Sequence, residues 1–303
     1  MAPGIPFVRD IEFEYGSVDE VTPMIRRVIA RNPTPFTFHG TGTYIIGRGK
    51  VAVIDPGPLV DEHVDALLAA VAGETVTHIL ITHTHNDHSP AAAPFKAATG
   101  ALTYGFGPHI PGRNWKKADL SLSRGGDMEF LPDHVIGDGD VVFGNGWTFE
   151  AVHTPGHTAN HLCFVLKEEN TLFSGDHIMG WSTTVVSPPD GDMLDYMRSC
   201  ERLLRREEEV FWPTHGPPIT APERHVEALI AHRIQREHDI GEALNEGLSR
   251  ISDIVAKLYE SVPIHLHGAA ARTVLSHLVH MIETGRAVCE GPPTEEAEYT
   301  SIF

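Results

Sequence analysis

The strongest constraint on this chain is a seven-residue stretch, Thr82-His83-Thr84-His85-Asn86-Asp87-His88, that directly follows the apolar run Ile79-Leu80-Ile81. Three imidazoles and a carboxylate within six positions make sense as ligands for borderline transition metals such as zinc. A lone histidine on a polar turn is usually solvated surface, but four metal-type ligands behind a buried strand read as a site. If strand geometry continues through the motif, His83 and His85 project from one face and chelate one metal together. Asp87 and His88 then fall where the chain turns into a small-residue helical stretch over 89–99, aimed at a second metal.

Three later positions complete the set. A strand over 147–152, with Trp147, Phe149 and Ala151 alternating, runs on to Thr154-Pro155-Gly156-His157-Thr158. A strand over 171–173 ends in Ser174-Gly175-Asp176-His177, and one over 210–212 ends in Pro213-Thr214-His215-Gly216. Each candidate therefore follows the carboxyl end of a strand, in a turn that can converge with the others on one rim. Counting ligands assigns His83, His85 and His157 to one metal and Asp87, His88 and His215 to the other. Asp176, with two oxygens, is suited to bridge both, and Asp87 and Asp176 are the candidate catalytic carboxylates. Two divalent ions about 3.5–4 Å apart hold a water between them and lower its pKa towards neutrality, which supplies a nucleophile without serine or cysteine. Asp55, at the end of a strand over 50–54, either orients a ligand histidine or serves as a turn residue before Pro56-Gly57.

In this order, His-x-His-x-Asp-His, Thr-Pro-Gly-His-Thr, Ser-Gly-Asp and Thr-His-Gly resemble the metallo-β-lactamase superfamily, over residues 20–220. The segment Arg31-Asn32-Pro33-Thr34-Pro35-Phe36-Thr37 and the helical tail further resemble the beta-lactamase-like protein 2 branch, which carries a small winged-helix-like domain. The resemblance implies an α+β fold: an αββα sandwich over residues 1–220 and a helical, winged-helix-like domain over 221–303. It agrees with the ligand roles above and implies hydrolysis by a metal-bridging hydroxide. Two divalent ions are expected as cofactors, zinc first, with iron or manganese also suited to histidine and carboxylate ligands. Superfamily members cleave thioesters, lactones, β-lactams and phosphodiesters with such a site, so substrate choice falls to the cap and the tail.

Composition narrows the choice. A formal net charge of -18 disfavours non-specific attraction to nucleic acid or anionic membrane. From residue 221 onward, 7 Lys and Arg stand against 13 Asp and Glu, a net of -6, whereas a nucleic-acid-binding winged helix presents a basic face. Its third helix offers only Arg272 and Arg286 near its ends. A small ester or thioester is thus placed ahead of single-stranded RNA as the substrate, although some members of the branch are endoribonucleases. A mononuclear-iron sulfur oxygenase is a further alternative, which the complete set of Asp87, His88 and His215 disfavours. The tail is expected to pack on the sandwich, shape the pocket or support a homo-oligomer.

Four smaller expectations follow. The stretch 105–133 carries His109, Arg113, Trp115, Lys116, Lys117 and Arg124, either a cap that receives an anion or a solvated loop. His161 and His177 read as buried, hydrogen-bonded histidines, and Trp181 and Tyr196 as pocket lining or core. Helices are expected over 224–248, over 252–259 with Ser252 as N-cap, and over 269–284, followed by a short strand or wing over 286–290. The widely spaced Cys163, Cys200 and Cys289, with neither a leader pattern nor a long apolar run, point to a reducing, cytoplasmic setting without membrane insertion.

Overall fold

Runs of β-branched and aromatic residues, each closed by a Gly-, Pro- or Asp-containing turn, form two facing sheets. The computed structural model describes residues 4–123 and 125–302. The first sheet holds, in spatial order, β1 (Asp19–Glu20), β2 (Ile25–Ile29), β3 (Gly42–Ile46), β4 (Lys50–Ile54), β5 (Thr75–Leu80), β6 (Leu102–Gly105) and β7 (His134–Val135). Its first four strands are antiparallel, and the rest continue in parallel through α1 (Asp61–Ala70) and α2 (Ala92–Thr99). The second sheet holds β8 (Val141–Phe143), β9 (Thr148–His153), β10 (Leu162–Leu166), β11 (Thr171–Gly175) and β12 (Val210–Pro213). The helix α3 (Met193–Leu203) lies between β11 and β12 in sequence, which makes that pair parallel.

Between the sheets, Ile25, Tyr44, Ile54 and Leu80 meet Trp147, Phe149, Phe164 and Phe173 in one core. On the outer face of the first sheet, Leu67 of α1 and Phe95 of α2 pack on Ile45, Val53 and Ile79. On the outer face of the second, Met193, Tyr196 and Leu203 of α3 cover Val152, Cys163 and Leu172. This is the αββα sandwich, four layers in which the central strands are buried on both faces, while the edge residues Val135 and Phe143 stay exposed.

The tail comprises α4 (Pro222–Asn245), α5 (Ile251–Leu258), α6 (His267–Glu283) and a hairpin of β13 (Ala287–Cys289) with β14 (Tyr299–Ser301), the wing. Ile240, Leu244, Ile254, Leu275 and Leu278 form its own core, while Val226 and Leu229 at the start of α4 belong to the core outside the second sheet. Thus α4 joins both parts of the chain. No described helix is long and apolar enough to cross a membrane.

Two local expectations are corrected, and one strand is added. Strand β5 ends at Leu80, so His83 and His85 sit on the loop beyond it, where His85 makes only an isolated bridge to Gly126. Ser252 lies inside α5, whose N-cap is Arg250. Strand β2, Ile25-Arg26-Arg27-Val28-Ile29, was not anticipated, because consecutive arginines do not read as a buried strand. Both are buried and paired, Arg26 with Glu74 at 2.6 Å and Arg27 with Asp19 at 2.5 Å.

Candidate metal centre

The loops after β5, β9, β11 and β12 converge on one rim of the sandwich and bring together all seven ligand candidates. In the first set, His83 Nε2 and His157 Nε2 each lie 3.0 Å from His85 Nδ1. The opposite nitrogens fix two of these rings. His157 Nδ1 donates to the Val185 carbonyl at 2.6 Å. Thr82 Oγ1 donates to Asp55 Oδ2 and can therefore accept from His83 Nδ1, 3.1 Å away. Both Nε2 atoms are left as lone pairs facing inward, the state a metal requires. Burial, reinforced by the neighbouring imidazoles, pushes His83 well below its usual pKa and His157 down to about 4, so these two imidazoles are neutral and ready to ligate.

The second set is His88, His215, Asp87 and Asp176, whose potential ligand atoms lie within 4.8 Å of one another. His88 Nδ1 donates to Asp55 Oδ2 at 2.8 Å and His215 Nδ1 to the Gly40 carbonyl at 3.1 Å, so both Nε2 atoms again point inward. Burial alone would lower both imidazoles, but Asp87 and Asp176 outweigh it, holding His88 well above its usual pKa and His215 up to about 10. Protons thus occupy positions suited to a cation. Buried His88 Nε2, His215 Nε2 and Asp176 Oδ1 have no hydrogen-bond partner, which fits a metal between them. Asp176 reaches both sets, its Oδ2 lying 3.7 Å from His157 Nε2 and 3.5 Å from His88 Nε2, and its Oδ1 3.4 Å from His215 Nε2.

Asp55 proves to be an organising residue rather than a plain turn. Fully buried, it accepts from Thr82 N, Thr82 Oγ1, His88 Nδ1 and Thr214 Oγ1 at 2.7–3.1 Å, and so ties the β4, β5 and β12 loops together. Its φ of 48° is a left-handed conformation that Asp and Asn tolerate better than most residues. A second carboxylate, Asp190, went unrecognised in the sequence. It accepts from His109 Nε2 at 3.0 Å and Ser123 Oγ at 2.7 Å, and lies 3.8 Å from the outer nitrogen of His85. Its segment, Pro188-Pro189-Asp190-Gly191, has no periodic or spacing signal that would point to His85.

Both ligand sets open into a cavity of about 400 Å³, walled by Phe36, Met179, Val185 and Pro188 with Asn32 and Thr34. Among the described residues, no basic side chain of the cap lines that cavity. Arg113 binds Asp192, Asp195 and Glu283, while His109 is buried against Asp190 and Thr84. Trp115 packs near α6, and Arg124 and the Lys117 side chain lie outside the described residues. His161 is buried, bonded to Thr154 and to the Asp176 amide, and His177 is buried beside Cys200. Tyr196 is core, and Trp181 stacks on Phe38 at 4.7 Å; neither lines the cavity.

Residues 37–215 match the metallo-beta-lactamase superfamily, and residues 251–292 match the beta-lactamase associated winged helix domain. The chain belongs to the metallo-beta-lactamase superfamily. It is 32% identical to the beta-lactamase-like protein 2 homolog of Caenorhabditis elegans, over 92% of this chain and 90% of that one. It is also 29% identical to an atrochrysone carboxyl ACP thioesterase of Claviceps purpurea, over 81% of this chain and 75% of that one. A beta-lactamase domain protein from Burkholderia ambifaria shares the fold, with a TM-score of 0.78 at 20% identity over 96% of this chain and 95% of that one. With the ligand sets intact, this is a metal-dependent hydrolase of that superfamily.

Proposed function

We propose that the protein is a dinuclear hydrolase of small acyl thioesters or esters, with the seven residues from His83 to His215 holding two divalent ions. The observation that carries this reading is the cavity: about 400 Å³ with largely apolar walls, opening onto both ligand sets. That volume suits a small molecule. A polynucleotide would instead call for a long basic track, and the tail is net acidic. Zinc fits the donor set well, and a reducing, cytoplasmic setting suits three free cysteines.

When bound, the two ions would supply a water nucleophile at neutral pH and polarise the scissile carbonyl. The protein's part is to place and desolvate. Asp176 would span the two ions, and Asp87 and His215 would hold the second beside the cavity. Asp55, Thr82 and the Val185 and Gly40 carbonyls keep the histidine lone pairs turned inward. Phe36, Met179 and Val185 exclude bulk water from the acyl group. Asp190, the lining carboxylate outside the ligand set, has an oxygen engaged by each of two donors and is an acceptor rather than a proton donor. A leaving group that departs unprotonated suits such a site, and a thiol, of pKa about 8.5, does so far more readily than an alcohol. The thioesterase among the relatives supports the same preference.

The test is turnover by metal-loaded protein of S-acyl-N-acetylcysteamine thioesters, 4-nitrophenyl esters and labelled single-stranded RNA, with Asp176→Ala as the control. Thioester or ester turnover that the variant lacks is expected. RNA cleavage by the parent without acyl turnover would replace this reading, as would one tightly held iron with oxygen consumption.

A further inference from the structure

Among the described residues that line the cavity, Arg272 is the one Lys or Arg. It does not come from the sandwich or the cap. It projects from α6, in the winged-helix region, on a helix held from several directions. Val274, Leu275 and Leu278 are buried in the tail core. Glu283 pairs with Arg113 of the cap. His277 and His280 bond to Glu237 of α4 at 3.2 and 2.6 Å. The helix is therefore a rigid mount, and Arg272 reaches the cavity without a loop having to close.

We infer that Arg272 is the specificity residue of this pocket, and that the substrate carries a second anionic group, a carboxylate or a phosphate, in addition to its scissile acyl bond. The charge pattern supports this. Asp87 and Asp176 would be neutralised by the ions they hold, which leaves Asp190 and Arg272 as the charged side chains that distinguish the rest of the lining, and of these only the guanidinium attracts an anion. A guanidinium offers a planar fork that matches two oxygens of a carboxylate or phosphate. The apolar walls that share the cavity with the ligand sets and this side chain, Phe36, Met179, Val185 and Pro188, suit the carbon skeleton of such a molecule.

The inference rests on the acyl-hydrolase reading, so its test includes a measurement independent of turnover. Butyrate, glutarate and 4-phosphonobutyrate share a carboxylate on a short chain and differ in the far end. Calorimetric titration of each into metal-loaded full-length protein is expected to show at least one of the two dianions binding about tenfold more tightly than butyrate, the worth of one charge-assisted hydrogen bond. Which dianion wins tells carboxylate from phosphate. Arg272→Gln is expected to erase that advantage at unchanged metal content and melting temperature, and Arg272→Lys to retain part of it. Equal affinity for all three in the parent, or an advantage that survives Arg272→Gln, would overturn the inference. With 4-nitrophenyl esters the corresponding sign is a KM for the monoglutarate ester that rises at least tenfold in Arg272→Gln. Absence of all ester and thioester turnover would defeat the hydrolase reading, while the titration would still decide the role of Arg272.

Discussion

Replacing Asp55 by Asn tests how the protein aims its metal ligands, because the change keeps shape and removes one kind of acceptor. Asn tolerates the left-handed backbone at φ 48°, so the turn survives. The amide oxygen must face the fixed Thr82 N–H, 2.8 Å from Oδ1 in the parent, which places the NH2 group where Oδ2 accepts from Thr82 Oγ1, His88 Nδ1 and Thr214 Oγ1. The two hydroxyls can rotate and accept instead. His88 can accept at Nδ1 only by carrying its proton on Nε2, the atom that faces Asp87 and Asp176 at 3.7 and 3.5 Å. Loading a cation at the second set then requires the less favourable tautomer.

Disrupting such an outer partner of a ligand histidine costs about 10–100-fold in metal affinity, or roughly 1.4–2.7 kcal/mol. The loss should fall mainly on the second equivalent, since His157 is held by Val185, and Thr82 Oγ1, after rotating to accept from the new amide, keeps a second lone pair for His83 Nδ1. Competition with a chromophoric chelator resolves the two equivalents. A second equivalent within threefold of the parent in a folded variant would refute the orienting role. Equal weakening of both would show that Asp55 acts through the fold as a whole.

Two further predictions follow from the same geometry. Asp176→Ala should lower metal content to below one equivalent because Asp176 approaches both sets, whereas Asp87→Ala should retain about one; elemental analysis after dialysis decides, and equal loss in both variants would contradict the ligand assignment. Away from the metals, burial lowers His63 to about 4, so the folded state refuses a proton that the unfolded chain accepts near pH 6.5. Its contribution to stability is fully present above pH 6.5 and is lost as pH falls towards 4, by about 1.4 kcal/mol per unit and roughly 3 kcal/mol in all. Urea unfolding of His63→Gln should therefore show a flatter pH dependence across that window, and superimposable profiles would refute the assignment.

The ligand set was legible in sequence because each member ends a strand with a strong local pattern, and strand ends on one side of a sandwich must share a rim. Asp55 was legible only by position. Its partners Thr82, His88 and Thr214 come from other strands' loops, and no spacing rule predicts that they meet. The role of Arg113 was hidden for the converse reason. Arg113 stands among cations in sequence, yet one of its carboxylates, Glu283, is 170 residues away. Local charge density shows where cations are concentrated but not which of them are already paired. Strand β2 was missed on the same ground: Glu74, which makes Arg26 tolerable inside, lies 48 residues away, and Asp19, though only eight residues from Arg27, meets it through the pairing of β1 with β2, which no periodicity reveals.

That lesson bears directly on the tail. By composition it is an acidic helical appendage, but in the fold it touches the site along three separate routes. Arg233 of α4 is buried with its guanidinium over the Tyr196 ring and donates to the Thr184 carbonyl, and the Thr184 hydroxyl donates within the Asp176-His177 turn. Glu283 of α6 anchors the cap through Arg113, and Arg272 of the same helix lines the cavity. These contacts make the winged-helix region a wall and a brace of the hydrolase: Arg233 and Arg272 turn towards the site or its supports, while Arg224, Arg250 and Lys257 lie on the outer face, the last two paired with Glu298 and Glu246. An acidic exterior then poses no conflict with the proposed acyl hydrolysis, because the side chain that the tail adds to the cavity, Arg272, faces inward.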